Sequence, residues 1–214
     1  MAGSSFGKSF VVTTFGESHG VALGAIVDGV PAGIELSEED IQKFLDRRKP
    51  GQSTVTTSRN ENDKCRIYSG VFGGKTTGTP IMVMLENQSQ RSQDYDELAI
   101  TYRPGHADFS FDSKFGFRDY RGGGRSSGRE TIGRVIGGAI AIKALEMLGI
   151  KVQAFTQSIG NVYAENFNLE ECSENDVYMP DNEAADEAIE LIKRAKEEKD
   201  SLGGIIGCIV TGVM

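Results

Sequence analysis

Residues 8–28 read KSFVVTTFGESHGVALGAIVD. Residues 8–15 are rich in β-branched and aromatic side chains, and residues 22–28 (ALGAIVD) are again apolar, so both predict strands. The turn Gly16-Glu17-Ser18-His19-Gly20 separates them. A strand, a short turn and a second strand form a hairpin-like pair, which points away from a strictly alternating parallel fold. The turn also fits the G-x-S-x-G nucleophile elbow of serine hydrolases, but that motif needs a helix after its serine. Here residues 21–28 read as a strand. A serine hydrolase at Ser18 is kept only as an alternative, tested by fluorophosphonate labelling.

Working outward, a turn at residues 29–33 (GVPAG) leads to Ser37, an N-cap followed by Glu38, Glu39 and Asp40. Ile41, Phe44 and Leu45 follow at helical spacing, and this helix should end near Arg48, before Pro50-Gly51. Residues 64–69 and 79–85 predict strands around a glycine-rich turn, GVFGGKTTG. Residues 87–117 read as polar and irregular and carry His106. Residues 131–148 predict a largely buried helix, in which Gly133 and Gly137 would allow close approach of another element. A strand (150–159), an amphipathic helix (182–199) and a final strand (204–213) complete the chain. No internal repeat or linker is visible. The pattern predicts an α+β fold in one domain, residues 1–214. The chain stops at Met214 directly on a strand, so it reads as truncated on its C-terminal side.

Composition narrows the function. Hydrophobic residues at 38% and charged residues at 25% of 214 are globular values. No apolar run approaches the roughly 20 residues of a membrane span, and no secretory signal pattern opens the chain. Cys65, Cys172 and Cys208 are too far apart for a CxxC pair and argue against a disulfide framework. A soluble, cytoplasmic protein is the expectation, with no membrane partner. The net charge of −8, the absence of Trp and an aromatic content of 8% disfavour nucleic acid. Charge is uneven: residues 160–200 hold 13 acidic and 4 basic side chains, whereas residues 103–134 hold 6 Arg and 1 Lys against 4 acids.

Several familiar motifs fail. Counting back from Gly74-Lys75-Thr76 puts Ser69 where a P-loop needs glycine, and a strand follows. Gly122-Gly123-Gly124 would place Ser127 at the third glycine of a dinucleotide fingerprint. Two histidines without acidic or cysteine spacing give no metal site.

Two features hold. His19 and His106, the only histidines, both sit in Gly-bearing turns, and histidine is suited to proton exchange near neutrality. The alternative for each is an ordinary surface or core residue. Residues 118–131 (RDYRGGGRSSGRET) run straight into the buried helix. A helix N-terminus offers backbone N–H groups, Ser126, Ser127 and Thr131 add hydroxyls, and Arg125 and Arg129 add forked cations. This combination suits a phosphorylated, multiply anionic small ligand; the alternative is a flexible loop with capping serines. Arg47-Arg48-Lys49 would extend such a pocket if the fold brings it near.

Together these stretches resemble the chorismate synthase family. Residues 16–31 (GESHGVALGAIVDGVP) look like its first motif, 103–108 (RPGHAD) its second histidine segment, and 122–140 (GGGRSSGRETIGRVIGGAI) its second motif. Arg47-Arg48, residues 69–72, 75–78 and 90–95 match in order. The resemblance implies a β-α-β sandwich with helices packed between antiparallel sheets, and usually a homotetramer. It implies conversion of 5-enolpyruvylshikimate 3-phosphate to chorismate, a 1,4-anti elimination of phosphate and a ring proton in the shikimate pathway. The cofactor implied is reduced FMN (FMNH2), with NADPH as an indirect reductant and an external flavin reductase as its source. His19 would act as the acid for the departing phosphate, and His106 would bond the flavin. Ser18 and Ser127 would relay protons. Arg125, Ser126, Ser127 and Gly128 would lie along the flavin, and Arg48 and Arg129 would hold substrate, or NADPH in the case of Arg48. Two departures stand out. Thr54 stands where many members of the family carry an Arg, so one anion contact is either missing or supplied by Arg59, and the family's third motif, with its catalytic aspartate, is absent. A chain without that motif is expected to be inactive alone. A non-catalytic phosphate- or nucleotide-binding module is the alternative.

Overall fold

In the computed structural model, which describes residues 3–49, 63–87 and 99–213, the 8–28 stretch folds into the expected hairpin. A two-residue strand β1 (Ser5–Phe6) pairs with β2 (Val11–Gly16), and β2 pairs antiparallel with β3 (Ala22–Asp28), Thr14 opposite Ala25. Alternate residues Val12 and Thr14 of β2 are buried, the period of a sheet with one covered face. Helix α1 (Glu38–Arg48) begins at a capping box: the Asp40 N–H donates to Ser37 Oγ, and the Ser37 N–H donates to Asp40 Oδ2.

Strands β4 (Cys65–Ile67) and β7 (Ile81–Glu86) lie either side of a small hairpin, β5 (Val71–Phe72) and β6 (Lys75–Thr76). The resulting five-stranded sheet is antiparallel throughout, in the order β1-β2-β3-β7-β4.

Helix α2 (Asp108–Phe115) corrects the expectation of an irregular segment. It is only 8 residues long, has no side-chain N-cap and ends at Gly116 in the left-handed conformation. Its organising contacts are ion pairs to residues outside it, which no periodicity reveals.

Helix α3 (Thr131–Glu146) buries Ile132, Ile136 and Ile140 against the sheet. Each such side chain is worth roughly 1.5–3 kcal/mol when fully covered. The Gly133 and Gly137 spacing does what the sequence predicts. A Cβ on Gly133 would lie 2.6 Å from Thr14 Cγ2, and one on Gly137 2.8 Å from Val12 Cγ2. The helix therefore sits closer to β2 than any larger residue permits, which carries its N-terminal loop onto the 16–20 turn. Lys143 donates to Asp40 at 3.2 Å and ties α3 to α1.

These elements form the first of two compact units; the second comprises residues from 145 onward. It holds β8 (Lys151–Ile159), β9 (Val162–Tyr163), α4 (Asn182–Glu197) and β10 (Gly204–Thr211), with antiparallel sheet order β10-β8-β9. Asp181 caps α4 through the Ala184 N–H, and Ala184, Ala185 and Ala188 pack with Val162 and Met179. Each unit is an antiparallel sheet with helices, so the fold class is α+β as expected. No described helix is long and apolar enough to cross a membrane.

Candidate active site

The turn after β2 is closed by the Gly20 N–H donating to Glu17 O at 3.0 Å, and its two central residues, Ser18 and His19, are buried. What buries them is the glycine run. The Ser18 N–H donates to Gly124 O at 3.3 Å, and Ser18 Oγ donates to Gly122 O at 3.1 Å. Gly122, Gly123 and Gly124 have φ of 58°, 89° and 54°, a sequence of left-handed residues that disfavours any Cβ. Gly122 is doubly constrained, because a Cβ there would overlap Cδ2 and Nε2 of His19. The backbone of one motif thus forms a wall of the histidine of the other. Asp119 stands close by. Hydrogen bonds from Arg121 hold its carboxyl below the ordinary value, and the nearby His19 adds a smaller pull in the same direction.

After the glycines, Arg125 turns inward. It donates to Gly16 O at 3.0 Å and to Thr14 Oγ1 at 2.6 Å, and lies 3.6 Å from Glu130. This guanidinium clamps the loop to β2. Ser126 Oγ donates to Gly123 O at 2.7 Å, and Ser127 Oγ accepts the Arg129 N–H at 3.4 Å, capping the short turn that leads into α3. Gly128 is exposed, and among the described residues no atom beyond its chain neighbours lies within 4 Å of where its Cβ would be.

Arg48 and Arg129 do converge. Arg48 Nη1 donates to Asp63 Oδ2 at 3.2 Å, and Arg129 Nη2 donates to Asp63 Oδ1 at 3.0 Å. Side-chain exposure falls from 17% at Arg48 to 11% at Arg129 and 3% at Asp63, so the carboxylate is the most deeply buried of the three. Burial pushes the Asp63 carboxyl up and the Arg48 guanidinium down, each against the attraction between them. Arg129 also donates to Asn87 Oδ1 at 2.9 Å. The Asn87 amide nitrogen in turn donates to Glu17 O at 3.2 Å and Gly20 O at 2.8 Å, the two ends of the His19 turn.

His106 is placed differently. It is exposed, its N–H donates to Arg103 O at 3.2 Å, and its Nδ1 lies 3.2 Å from Pro104 O. Below it Asp108 is buried and takes two bonds from the Arg103 side chain, at 2.8 Å each, and an ion pair from Arg118 at 3.0 Å. The Arg103 bonds hold the Asp108 carboxyl well below the usual carboxylate range. Among the described residues, no hydrogen bond or ion pair joins the His106 ring to His19, Ser126 or Ser127.

Ser18, His19, Arg48 and Arg129, predicted from separate motifs, are thus tied into one network, and Arg125 and Ser127 hold the loop beside it. Asp63 and Asn87 were missed; neither stands in a pattern that marks it. Thr54, Arg59 and residues 90–95 lie outside the described residues. The serine-hydrolase alternative loses its geometry, because the chain after Ser18 enters β3.

Fold and site define an α+β protein with a buried histidine, a glycine wall and two arginines drawn together beside it. A family model for chorismate synthase matches residues 10–214. The chorismate synthase of Agathobacter rectalis is 60% identical over 215 residues, covering 100% of this chain and 59% of that protein. That of Methanocella arvoryzae is 52% identical over 217 residues, covering 100% of this chain and 58% of its own length. A solved chain, "Crystal Structure of Chorismate Synthase", is 32% identical with a TM-score of 0.73, covering 94% of this chain and 57% of that one. The chain belongs to the chorismate synthase family. It spans about three-fifths of the length of the curated relatives it matches.

Proposed function

We propose that the whole protein is a carbon–oxygen lyase that converts 5-enolpyruvylshikimate 3-phosphate to chorismate. The observation that carries this reading is the convergence of Arg48 and Arg129 beside the turn that bears buried His19. Such a pair suits a substrate with a phosphate and two carboxylates. In the reaction the C–O bond to phosphate breaks, a ring C–H bond gives up its proton, and a new C=C bond forms. His19 stabilises the charge developing on the leaving phosphate, and general acids contribute typically 10²–10⁴ in rate. Ser18 and Ser127 relay protons. Arg48 and Arg129 hold substrate; contact of Arg48 with NADPH is the other assignment.

The loop fits a reduced flavin. Gly128 leaves open space above its backbone, flanked by the exposed Ser126 and by Ser127. Reduced FMN, when bound, supplies an electron transiently to a reaction that is redox-neutral overall. Ser126, Ser127 and Gly128 would line it, Arg125 would brace them from beneath, and His106 would bond the ring and set its protonation. By resemblance to the family we propose a cytoplasmic homotetramer supplied with FMNH2 by an external reductase.

The test is chorismate formation by the full-length protein with anaerobically reduced FMN. Turnover is expected. Binding of phosphorylated ligands with no product would leave a non-catalytic phosphate-binding module instead.

A further inference from the structure

We infer that Asn87 is a positioning residue that sets the His19 turn against Arg129. The inference rests on the lyase reading for its kinetic consequence and on geometry for its structural one.

A carboxamide offers two N–H donors and one carbonyl acceptor. Asn87 uses both its donor and its acceptor sides, on two parts of the site. Its Nδ2 donates to Glu17 O and Gly20 O, which bracket Ser18 and His19, and its Oδ1 accepts from Arg129. The residue is itself fixed. It directly follows β7, whose last residue Glu86 pairs with Ala22, and its backbone N–H donates to Val21 O at 3.0 Å. One bond further on, Arg129 holds Asp63, and Asp63 holds Arg48. A continuous path of side-chain bonds therefore runs from the turn that carries the proposed acid to both proposed anion-binding arginines. Asn87 is the one side chain described that bonds both ends of that turn and an arginine together.

The geometry excludes simple replacements. Aspartate has the same shape but no donors, and would set a carboxylate against two carbonyl oxygens. Glutamine is one methylene longer. Leucine has neither donor nor acceptor. What Asn87 supplies is register: a phosphate held at Arg129 is presented to His19 at a fixed distance, and a misplacement of about 1 Å can cost on the order of 10²-fold in rate. A merely stabilising turn contact would affect unfolding and leave the relation between acid and arginine unchanged.

The experiment compares wild type with Asn87→Asp in the full-length protein. Asn87→Asp keeps an acceptor for Arg129 and removes both donors to the turn. Turnover should fall roughly tenfold to a hundredfold, by more than the substrate KM rises, that rise reflecting the new carboxylate's claim on Arg129. In parallel, the ring proton resonances of the histidines are titrated by NMR, His19 and His106 being identified from His19→Gln and His106→Gln. The His19 midpoint should shift in Asn87→Asp and also in the uncharged Asn87→Ser, and the His106 midpoint should shift in neither. If wild type makes no chorismate, the lyase reading fails, but the His19 titration still decides the coupling. An unmoved His19 titration, or a loss of turnover matched by an equal rise in KM, overturns the proposal. Should Asn87→Asp not fold, Asn87→Ser is read by the same two measurements and the same outcomes.

Discussion

The two histidines of the chain live in opposite surroundings. His19 is 6% exposed and walled by backbone: Gly122 against its ring, Gly124 bonded to the preceding residue, and Asn87 across the ends of its turn. His106 is exposed, and what is rigid there lies beneath it, in the Arg103–Asp108–Arg118 cluster. A group enclosed by fixed backbone has its geometry set before any ligand arrives. A group held out on a rigid base takes its environment from whatever binds against it. The first arrangement suits an acid that must meet one leaving group, and the second suits a contact to a removable cofactor.

The sharpest way to break this contrast is to remove His19. His19→Ala in the full-length protein should lower turnover by about 10²–10⁴, with binding of reduced FMN unchanged. Single-turnover traces under anaerobic conditions measure the first, and a flavin titration the second. If His19→Ala instead alters the flavin, the roles of the two histidines are exchanged.

The next largest effect concerns the base under His106. Asp108→Asn removes one charge from a buried cluster of two arginines and should cost about 3 kcal/mol of stability at neutral pH. The pH dependence has a definite sign. The folded-state value of Asp108 lies below the ordinary value of about 3.9. Its contribution is therefore complete above that ordinary value and is lost as pH falls toward the folded one. Urea midpoints of wild type and variant should differ most at pH 7 and converge in acid. A constant difference across that range would mean that Asp108 acts by packing rather than by charge.

How much of this contrast is legible in the sequence depends on the range of the contacts. The hairpin, the Ser37 cap and the Gly133/Gly137 face of α3 are local patterns, and the structure has each of them. Helix α2 was not legible: its contacts are ion pairs rather than an apolar stripe. Ser18, His19, Arg48 and Arg129, which the structure ties into one network, each lie in a stretch with its own composition. Asp63 and Asn87 were not, because their bonds to Arg129 span 66 and 42 residues and neither sits in a turn or run that announces a role. The glycine run reads in the sequence as part of an anion-binding loop ahead of α3. That Gly122 must also make room for a particular imidazole emerges only from the fold.

A smaller effect tests whether the buried side of the contrast includes the ligand. A charge-assisted contact is worth roughly 1.5–3 kcal/mol, so Arg48→Ala should raise the substrate Kd by about tenfold or more. Calorimetric titration of substrate into the full-length variant measures it. The substitution also removes one of the two arginines on Asp63, so a companion Arg48→Lys separates charge from fork: a lysine reaching Asp63 restores part of the affinity if charge dominates. Unchanged affinity in both variants would leave Arg48 as an internal counter-ion for Asp63.

The smallest expected effect is on stability at His106, and it is informative because it is small. The ring is exposed, and its described bond is to a carbonyl two residues away. Exposed positions without special contacts change stability by no more than about 0.5 kcal/mol on substitution. His106→Ala should therefore leave the urea midpoint of the ligand-free protein almost unmoved, while changing the spectrum or the pKa of bound reduced flavin. The two readouts have to part company for the contrast to hold. If His106→Ala destabilises the protein as Asp108→Asn does, the ring belongs to the cluster beneath it and its exposure has no functional meaning. If stability and flavin are both unchanged, His106 does not face the cofactor, and the proton on the flavin must be governed by another group.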